Sequence, residues 1–127
     1  MTIAFWCVLA GALMPLLWTA YAKFTGAGFR PRDNYNPREF LEALEGARKR
    51  AHWAQLNSFE AFPPFAAAVV VNHLAGGGGT TVDLLALAWV GLRLAYGALY
   101  IADRASLRSL AWFLATACWV AIFVAAA

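Results

Sequence analysis

The chain has 127 residues, of which 62% are hydrophobic and 13% are charged, with a net charge of +3 and a mean hydropathy of +0.59. Soluble domains are about half apolar and about a quarter charged, so this composition excludes an ordinary water-soluble enzyme, a disordered chain and a disulfide-held secreted module. A spanning helix needs roughly 20 apolar residues, so the length allows one domain with about four spans.

Four apolar stretches predict the membrane spans. The first and last contain no charged side chain, whereas Glu60 is the only charge within residues 51–82 and Arg93 is the only charge within residues 84–102. All four are long enough to cross a bilayer as helices. The predicted spans are residues 2–22, 51–75, 82–102 and 109–127. The sequence therefore predicts an all-α integral membrane protein, a four-helix transmembrane bundle in a single domain.

Local signals predict where the helices begin. Asn36-Pro37-Arg38-Glu39 has the residue types of a helix start, so a helix is expected to begin in water near Pro37 and to run into the second span, with Gly46 as an interruption. Gly76–Gly79 predicts a flexible turn, and Thr80-Thr81-Val82-Asp83 is expected to cap the third span. Four tryptophans near span ends predict interfacial aromatic belts: Trp6, Trp18, Trp89 and Trp112.

The basic residues predict the orientation. Nine of the ten lie between spans one and two or between spans three and four, and with four spans these two loops share one side. The positive-inside rule places both loops in the cytoplasm and both termini on the other side. The net positive charge then indicates orientation and attraction to anionic lipid, and no nucleic-acid partner is expected.

Glu60 and Arg93 are the first candidates for a functional site, because a charge in hydrocarbon costs about 2.5 to 3.5 kcal/mol even on insertion scales. Asn57 and Glu60 share one helical face, and Arg93, Tyr96 and Tyr100 share another. At ~1.5 Å per residue both charges lie about 15 Å from the basic loops, so the two polar stripes are expected to meet at one depth.

Two interpretations of these polar stripes stay open. The groups could form only a buried ionic lock between helices, or they could line a cleft that opens to the cytoplasm and holds a polar ligand. Two tyrosines and an asparagine supply more hydrogen-bonding groups than a lock requires, which favours the cleft. Pro63 and Pro64 remove helix hydrogen bonds beside the same stripe. No metal site is predicted, because His52 and His73 lie at opposite ends of one span.

The sequence around these groups resembles the MAPEG family, the membrane-associated proteins of eicosanoid and glutathione metabolism. Residues 50–65, RAHWAQLNSFEAFPPF, are similar to the signature of the family's second helix, with its N-x-x-E-x-x-P-x-F core. Arg93-Leu94-Ala95-Tyr96 with Tyr100, followed by Leu107-Arg108-Ser109, is similar to the third helix and the turn after it. The resemblance extends over essentially the whole chain.

The resemblance implies a left-handed four-helix bundle assembled as a homotrimer, with glutathione bound between neighbouring protomers near the cytoplasmic face. It implies that Arg108 stabilises the glutathione thiolate, since a nearby cation lowers a thiol's pKa from about 8.5. Hydrophobic small-molecule electrophiles would arrive laterally from membrane lipid. The residues that it implies for holding glutathione are Arg50, Gln55, Asn57, Glu60, Arg93, Tyr96 and Tyr100.

Two departures from the family keep alternatives open. Where the leukotriene-forming member has an arginine two residues before the glutamine this chain has Trp53, and where that member has a tyrosine after the glutamate it has Ala61. The chain is closer to the small bacterial members, and a bacterial inner membrane is expected. The leading hypothesis is a glutathione-dependent transferase or peroxidase. Its alternatives are a non-catalytic lipid-binding scaffold or accessory subunit of a larger membrane complex, and a small transporter.

Overall fold

The computed structural model describes residues 1–126, and they form an all-α fold, as the sequence predicts. The five helices are α1 (Ile3–Phe24), α2 (Pro37–Glu42), α3 (Gly46–Leu74), α4 (Thr80–Ile101) and α5 (Ala105–Val124). A short 3₁₀ helix, Pro31–Asn34, lies in the loop between α1 and α2.

Three of these helices, α1, α4 and α5, are long and apolar enough to cross a membrane by length and composition. The longest helix is α3, with 29 residues, and it packs against α1, α4 and α5. Its first turns carry Arg48, Lys49 and Arg50, which makes it more polar than the other three. The apolar helices support an integral membrane protein.

One end of the bundle collects the basic residues. Arg50 Nε on α3 donates to the carbonyl of Ile101 at the end of α4, at 3.0 Å. Arg48 Nε donates to the carbonyl of Ala22 near the end of α1, at 2.8 Å. The loop after α1 and the turn after α4 therefore lie at the same end, as predicted, and this end is called the basic end below.

The opposite end is joined by two polar contacts between helices. Asn72 Nδ2 on α3 donates to the carbonyl of Ile122 on α5, at 2.9 Å. The backbone N–H of Ala4 on α1 donates to Asp83 Oδ1 on α4, at 2.8 Å. The sequence predicts a cap for α4 at this place, but the N-cap of α4 is Gly79 and it makes no side-chain cap bond. Asp83 instead satisfies an N–H of the first turn of α1.

As predicted, a helix begins at Pro37, but it ends at Glu42 and does not continue into the second span. The following helix, α3, begins at Gly46, whose φ is +59°. This left-handed conformation favours glycine because it has no Cβ. The interruption turns the chain, so that Leu41 and Leu44 pack with Ala22 and Ala51 at the basic end.

One tryptophan that was predicted to lie in an interfacial aromatic belt, Trp89, lies in the packed interior instead. Trp89 is 2% exposed and its ring stacks on that of Phe65, with centroids 3.8 Å apart and planes 4° apart. The prediction that Trp89 lies in an interfacial belt is therefore wrong, because α3 covers the face of α4 that carries it. Trp18 packs against Gly97, where an added Cβ would overlap its ring, so α1 and α4 approach closely there.

Candidate functional site

The two predicted polar stripes meet between α3 and α4. Arg93 on α4 is 1% exposed, and its Nη2 donates to Asn57 Oδ1 on α3 at 2.8 Å. Asn57 Nδ2 in turn donates to Glu60 Oε2 at 3.1 Å. The amide of Asn57 thus accepts from a cation and donates to a carboxylate, which fixes its orientation. The expectation that these stripes lie at one depth is confirmed.

A row of aromatic rings and guanidinium groups continues from Arg93 toward the basic end. The Arg93 guanidinium lies 4.3 Å from the centroid of the Tyr96 ring, and Tyr96 meets Tyr100 edge to face at 5.6 Å. Arg108, in the first turn of α5, places its guanidinium 4.2 Å from the Tyr100 centroid. Because residues 93, 96 and 100 repeat at helical spacing, one face of α4 carries the row.

Two recesses lie on either side of the tyrosines. The first, here the carboxylate recess, has a volume of about 360 Å³, within the range of known ligand pockets. It is lined by Trp53, Leu56, Asn57, Glu60, Tyr96 and Tyr100. The second, here the arginine recess, has a volume of about 190 Å³. It is lined by Tyr96, Tyr100, Arg108, Ser109, Trp112 and Phe113. Tyr96 and Tyr100 are common to both, so the recesses adjoin.

The geometry decides against a direct ionic lock. In the described part of the chain, the salt bridges join Asp33 to Arg30 and to Arg32, and Asn57 stands between Glu60 and Arg93. Glu60 is exposed and lines the carboxylate recess, whereas Arg93 Nε is buried and has no hydrogen-bond partner among residues 1–126. A buried guanidinium needs its full set of partners. Glu60 therefore faces the carboxylate recess, whereas Arg93 lines neither recess and lies behind Asn57 and Tyr96.

Besides Arg93, two of the predicted site residues line neither recess. Gln55 Oε1 contacts His52 Nδ1 at 3.2 Å, on the side of α3 away from Asn57, because two residues rotate a helix by about 200°. Arg50 lies on the Asn57 face but two turns nearer the basic end, where its Nε donates to the carbonyl of Ile101, the last residue of α4. Neither lines the recesses.

Several lining residues were absent from the sequence prediction. Trp53 and Leu56 precede Glu60 on the same face of α3, so helical spacing alone could have placed them in the carboxylate recess. The Trp53 ring lies 6.2 Å from that of Tyr100. Trp112, assigned from sequence only to the interfacial belt, lies one turn after Arg108 and lines the arginine recess. No sequence signal marks Phe113.

Comparison with known proteins identifies the family of this chain. The sequence matches the MAPEG family over residues 3–127. The chain belongs to the MAPEG family. No curated protein and no solved structure matches it. In this MAPEG protein, Asn57 and Glu60 of the N-x-x-E motif line the carboxylate recess, and α3 continues as a helix through the prolines of the same motif.

Proposed function

We propose that this MAPEG protein is a membrane-embedded, glutathione-dependent transferase or peroxidase that acts on hydrophobic electrophiles. One observation carries the proposal: a recess lined by the Glu60 carboxylate adjoins a recess lined by Arg108, and Tyr96 and Tyr100 form the wall between them. Membership of the MAPEG family supports glutathione as the thiol.

In the proposed complex, glutathione extends from the carboxylate recess past the tyrosines to Arg108. Glu60 pairs with the ammonium group of the tripeptide, and the hydroxyls of Tyr96 and Tyr100 donate to its carbonyl or carboxylate oxygens. Arg93 does not contact the ligand and instead fixes the orientation of Asn57 through its hydrogen bond to Asn57 Oδ1. Within one chain, Arg50 binds the carbonyl of Ile101 and Gln55 contacts His52, so neither side chain reaches this recess. Their proposed binding role therefore requires an interface between protomers.

Arg108 is the proposed catalytic residue. Its guanidinium, held over the Tyr100 ring, stabilises the thiolate after the thiol proton leaves to solvent. The sulfur lone pair then forms the new bond to an electrophilic carbon, and the displaced electron pair leaves with the departing group. With a hydroperoxide, sulfur attacks the terminal oxygen and releases the alcohol. A second glutathione then converts the sulfenic acid to the disulfide and water.

The assembly proposed for this function is a left-handed homotrimer of four-span protomers, with α3 as the fourth span. The basic end faces the cytoplasm of a bacterial inner membrane, and both termini lie on the opposite side. The contacts of Arg48 and Arg50 support this orientation, because they bring the basic segments to one end.

Replacing Arg108 with alanine tests the catalytic role. We expect kcat to fall by about 10² to 10³, as when one donor to a developing anion is removed, while the oligomer in detergent keeps its size. Arg104 supplies a matched control, since it is exposed on the preceding turn and lies outside the arginine recess. Activity in Arg108→Ala equal to that in Arg104→Ala would remove the role.

The second candidate is a non-catalytic lipid-binding scaffold or accessory subunit of a larger membrane complex. Trp53 favours it, because its indole occupies the rim of the carboxylate recess next to Tyr100. The internal contacts of Arg50 and Gln55 also reduce the polar groups available to a tripeptide. Calorimetric titration with glutathione discriminates the two functions. Binding that Glu60→Gln weakens supports the enzyme, and absence of binding at millimolar glutathione supports the scaffold.

A further inference from the structure

We propose that the arginine recess selects electrophiles that carry an aromatic ring, in preference to electrophiles on a straight alkyl chain, and that Trp112 is the main specificity residue. The inference rests on the proposed function, because it assigns the substrate class of the same site. The observation behind it is the make-up of this recess, which differs from that of the carboxylate recess.

Aromatic side chains from two helices face this recess. On α4, Tyr96 and Tyr100 meet edge to face, with planes 79° apart. On α5, Trp112 and Phe113 meet edge to face, with centroids 5.1 Å apart and planes 84° apart. Four of the six lining residues are therefore aromatic. Such pairs offer both ring faces and ring edges, and an additional ring can pack on either in the offset or T-shaped arrangements that aromatic groups prefer.

The size of the recess fits a ring better than a chain. Its volume is about 190 Å³, and an apolar cavity of about 150 Å³ is known to hold one benzene molecule. A long acyl chain would fill this space with a few methylene groups and leave the remainder in lipid. The chain would then gain little from the aromatic walls, whereas a ring can pack on them.

The recess also has a route from the bilayer. Trp112 is 39% exposed at the flank of the packed face of α5, and Phe113 is 65% exposed on the side away from it. An apolar ring dissolved in lipid therefore reaches the recess without crossing water. Arg108 and Ser109 provide the polar groups of the lining besides the two tyrosine hydroxyls. The reactive carbon of a ring-bearing electrophile would lie beside Arg108, where the thiolate is proposed.

An aryl enone illustrates the step. The thiolate sulfur forms a bond to the β-carbon, and the electrons of the carbon–carbon double bond move to give an enolate. The enolate takes a proton from water at the α-carbon, so the thiol S–H has added across the double bond and nothing is oxidised. The Ser109 hydroxyl can donate to the enolate oxygen. A straight-chain enone undergoes the same chemistry, which makes the two a matched pair.

The kinetic test compares benzylideneacetone with a straight-chain enone of the same carbon number, in vesicles with glutathione at saturation. We expect Trp112→Leu to lower kcat/KM for benzylideneacetone by about three- to tenfold, the energy range of one aromatic pair, and to leave the straight-chain enone within about twofold. Trp112→Phe should restore most of the selectivity. Trp6→Leu is the control, because Trp6 is an exposed tryptophan on α1, outside this recess. Equal losses for both enones would overturn the proposal.

A second test needs no turnover and so separates this inference from the proposed function. Phenyl azide is photolysed with the protein in vesicles, and labelling of residues 105–116 is compared with labelling of Leu84 and Leu87, two exposed apolar residues of α4. We expect benzylideneacetone to reduce labelling only in the first segment, the straight-chain enone to have little effect, and Trp112→Leu to abolish the difference. Labelling that is equal in both segments, or reduced equally by both enones, would disprove the aromatic subsite even if glutathione turnover is observed.

If the protein proves not to use glutathione, selective labelling of residues 105–116 still establishes the ring-binding recess. Turnover of both enones without ring selectivity keeps the proposed function and removes this inference. The two failures are therefore distinguishable.

Discussion

Arg93 and Asn57 are joined across the α3–α4 interface by a 2.8 Å hydrogen bond, although the guanidinium is 1% exposed and Asn57 also donates to Glu60. The arginine thus acts on the site through the asparagine and through the Tyr96 ring, whose centroid lies 4.3 Å from the guanidinium. This arrangement keeps a cation out of hydrocarbon and leaves a carboxylate facing the recess.

Replacing Asn57 with alanine should lower the free energy of unfolding by about 1 to 2 kcal/mol, because hydrogen bonds between membrane helices reach about 1.7 kcal/mol and this one involves a charged donor. Arg93→Met should show a similar loss, and the double variant should lose less than the sum of the two. The measurement is SDS titration of the protein in mixed micelles. Asn34→Ala is the control, since Asn34 is exposed in the loop. Strict additivity of the two losses would show that the contact does not couple the helices.

Gly97 allows α1 and α4 to approach, because any Cβ there would overlap the Trp18 ring. We expect Gly97→Ala to destabilise the protein by about 1 to 3 kcal/mol, as overpacking does. Trp18→Leu in the same chain should recover part of the loss. Gly91→Ala is a matched control on the same helix, because a Cβ at Gly91 meets nothing within 4 Å. Comparable losses in Gly91→Ala and Gly97→Ala would contradict the packing argument.

Asp83 satisfies the backbone N–H of Ala4 on a different helix. Asp83→Ala should therefore speed amide hydrogen exchange in the first turn of α1, consistent with the roughly 0.5 to 2 kcal/mol that a helix cap contributes. Asp83→Asn should have a smaller effect, because its side-chain oxygen still accepts. Exchange within the middle of α4 serves as the internal control. Unchanged exchange at Ala4 in the alanine variant would refute the cap.

Arg48 holds the loop at the basic end. Its Nε donates to Ala22, its Nη2 donates to the Gly28 carbonyl at 3.4 Å, and its guanidinium lies 5.6 Å from the Phe40 centroid. We expect Arg48→Met to accelerate trypsin cleavage in the loop, after Arg32, by about tenfold, as for a local opening made easier by about 1.4 kcal/mol. Mass spectrometry of timed digests measures the rate. Arg104→Met is the control, and the same acceleration there would indicate a general loss of stability.

The position of the site followed from sequence because few charges occur in the apolar stretches. A lone Glu60 and a lone Arg93 must avoid lipid, and helical spacing placed Asn57, Tyr96 and Tyr100 beside them. The structure confirms that these groups meet. The hydrogen-bond partner of Arg93 could not be predicted from the sequence. Periodicity shows which residues share a face of a helix, but it does not show which of two polar groups on that face another side chain contacts.

The contacts of Trp89 and Asp83 also could not be predicted from the sequence. Both lie where span ends are expected, so the sequence indicated a belt residue and a local cap. In the structure, Phe65 of α3 covers Trp89, and α1 brings an unsatisfied N–H to Asp83. Each outcome depends on a neighbour distant in sequence.

The amino-acid sequence by itself determined that the protein is a helical membrane protein, which residues are charged within the apolar stretches and which loops share an end. These properties depend on the free energy of transferring single side chains into hydrocarbon and on the helical repeat, both of which are local. Only the tertiary structure decided that Asn57 stands between Arg93 and Glu60, that Arg50 binds the end of α4, and that Trp112 joins the tyrosines around Arg108. Those contacts depend on the rotation and offset of one helix against another, which close packing of whole helix faces sets.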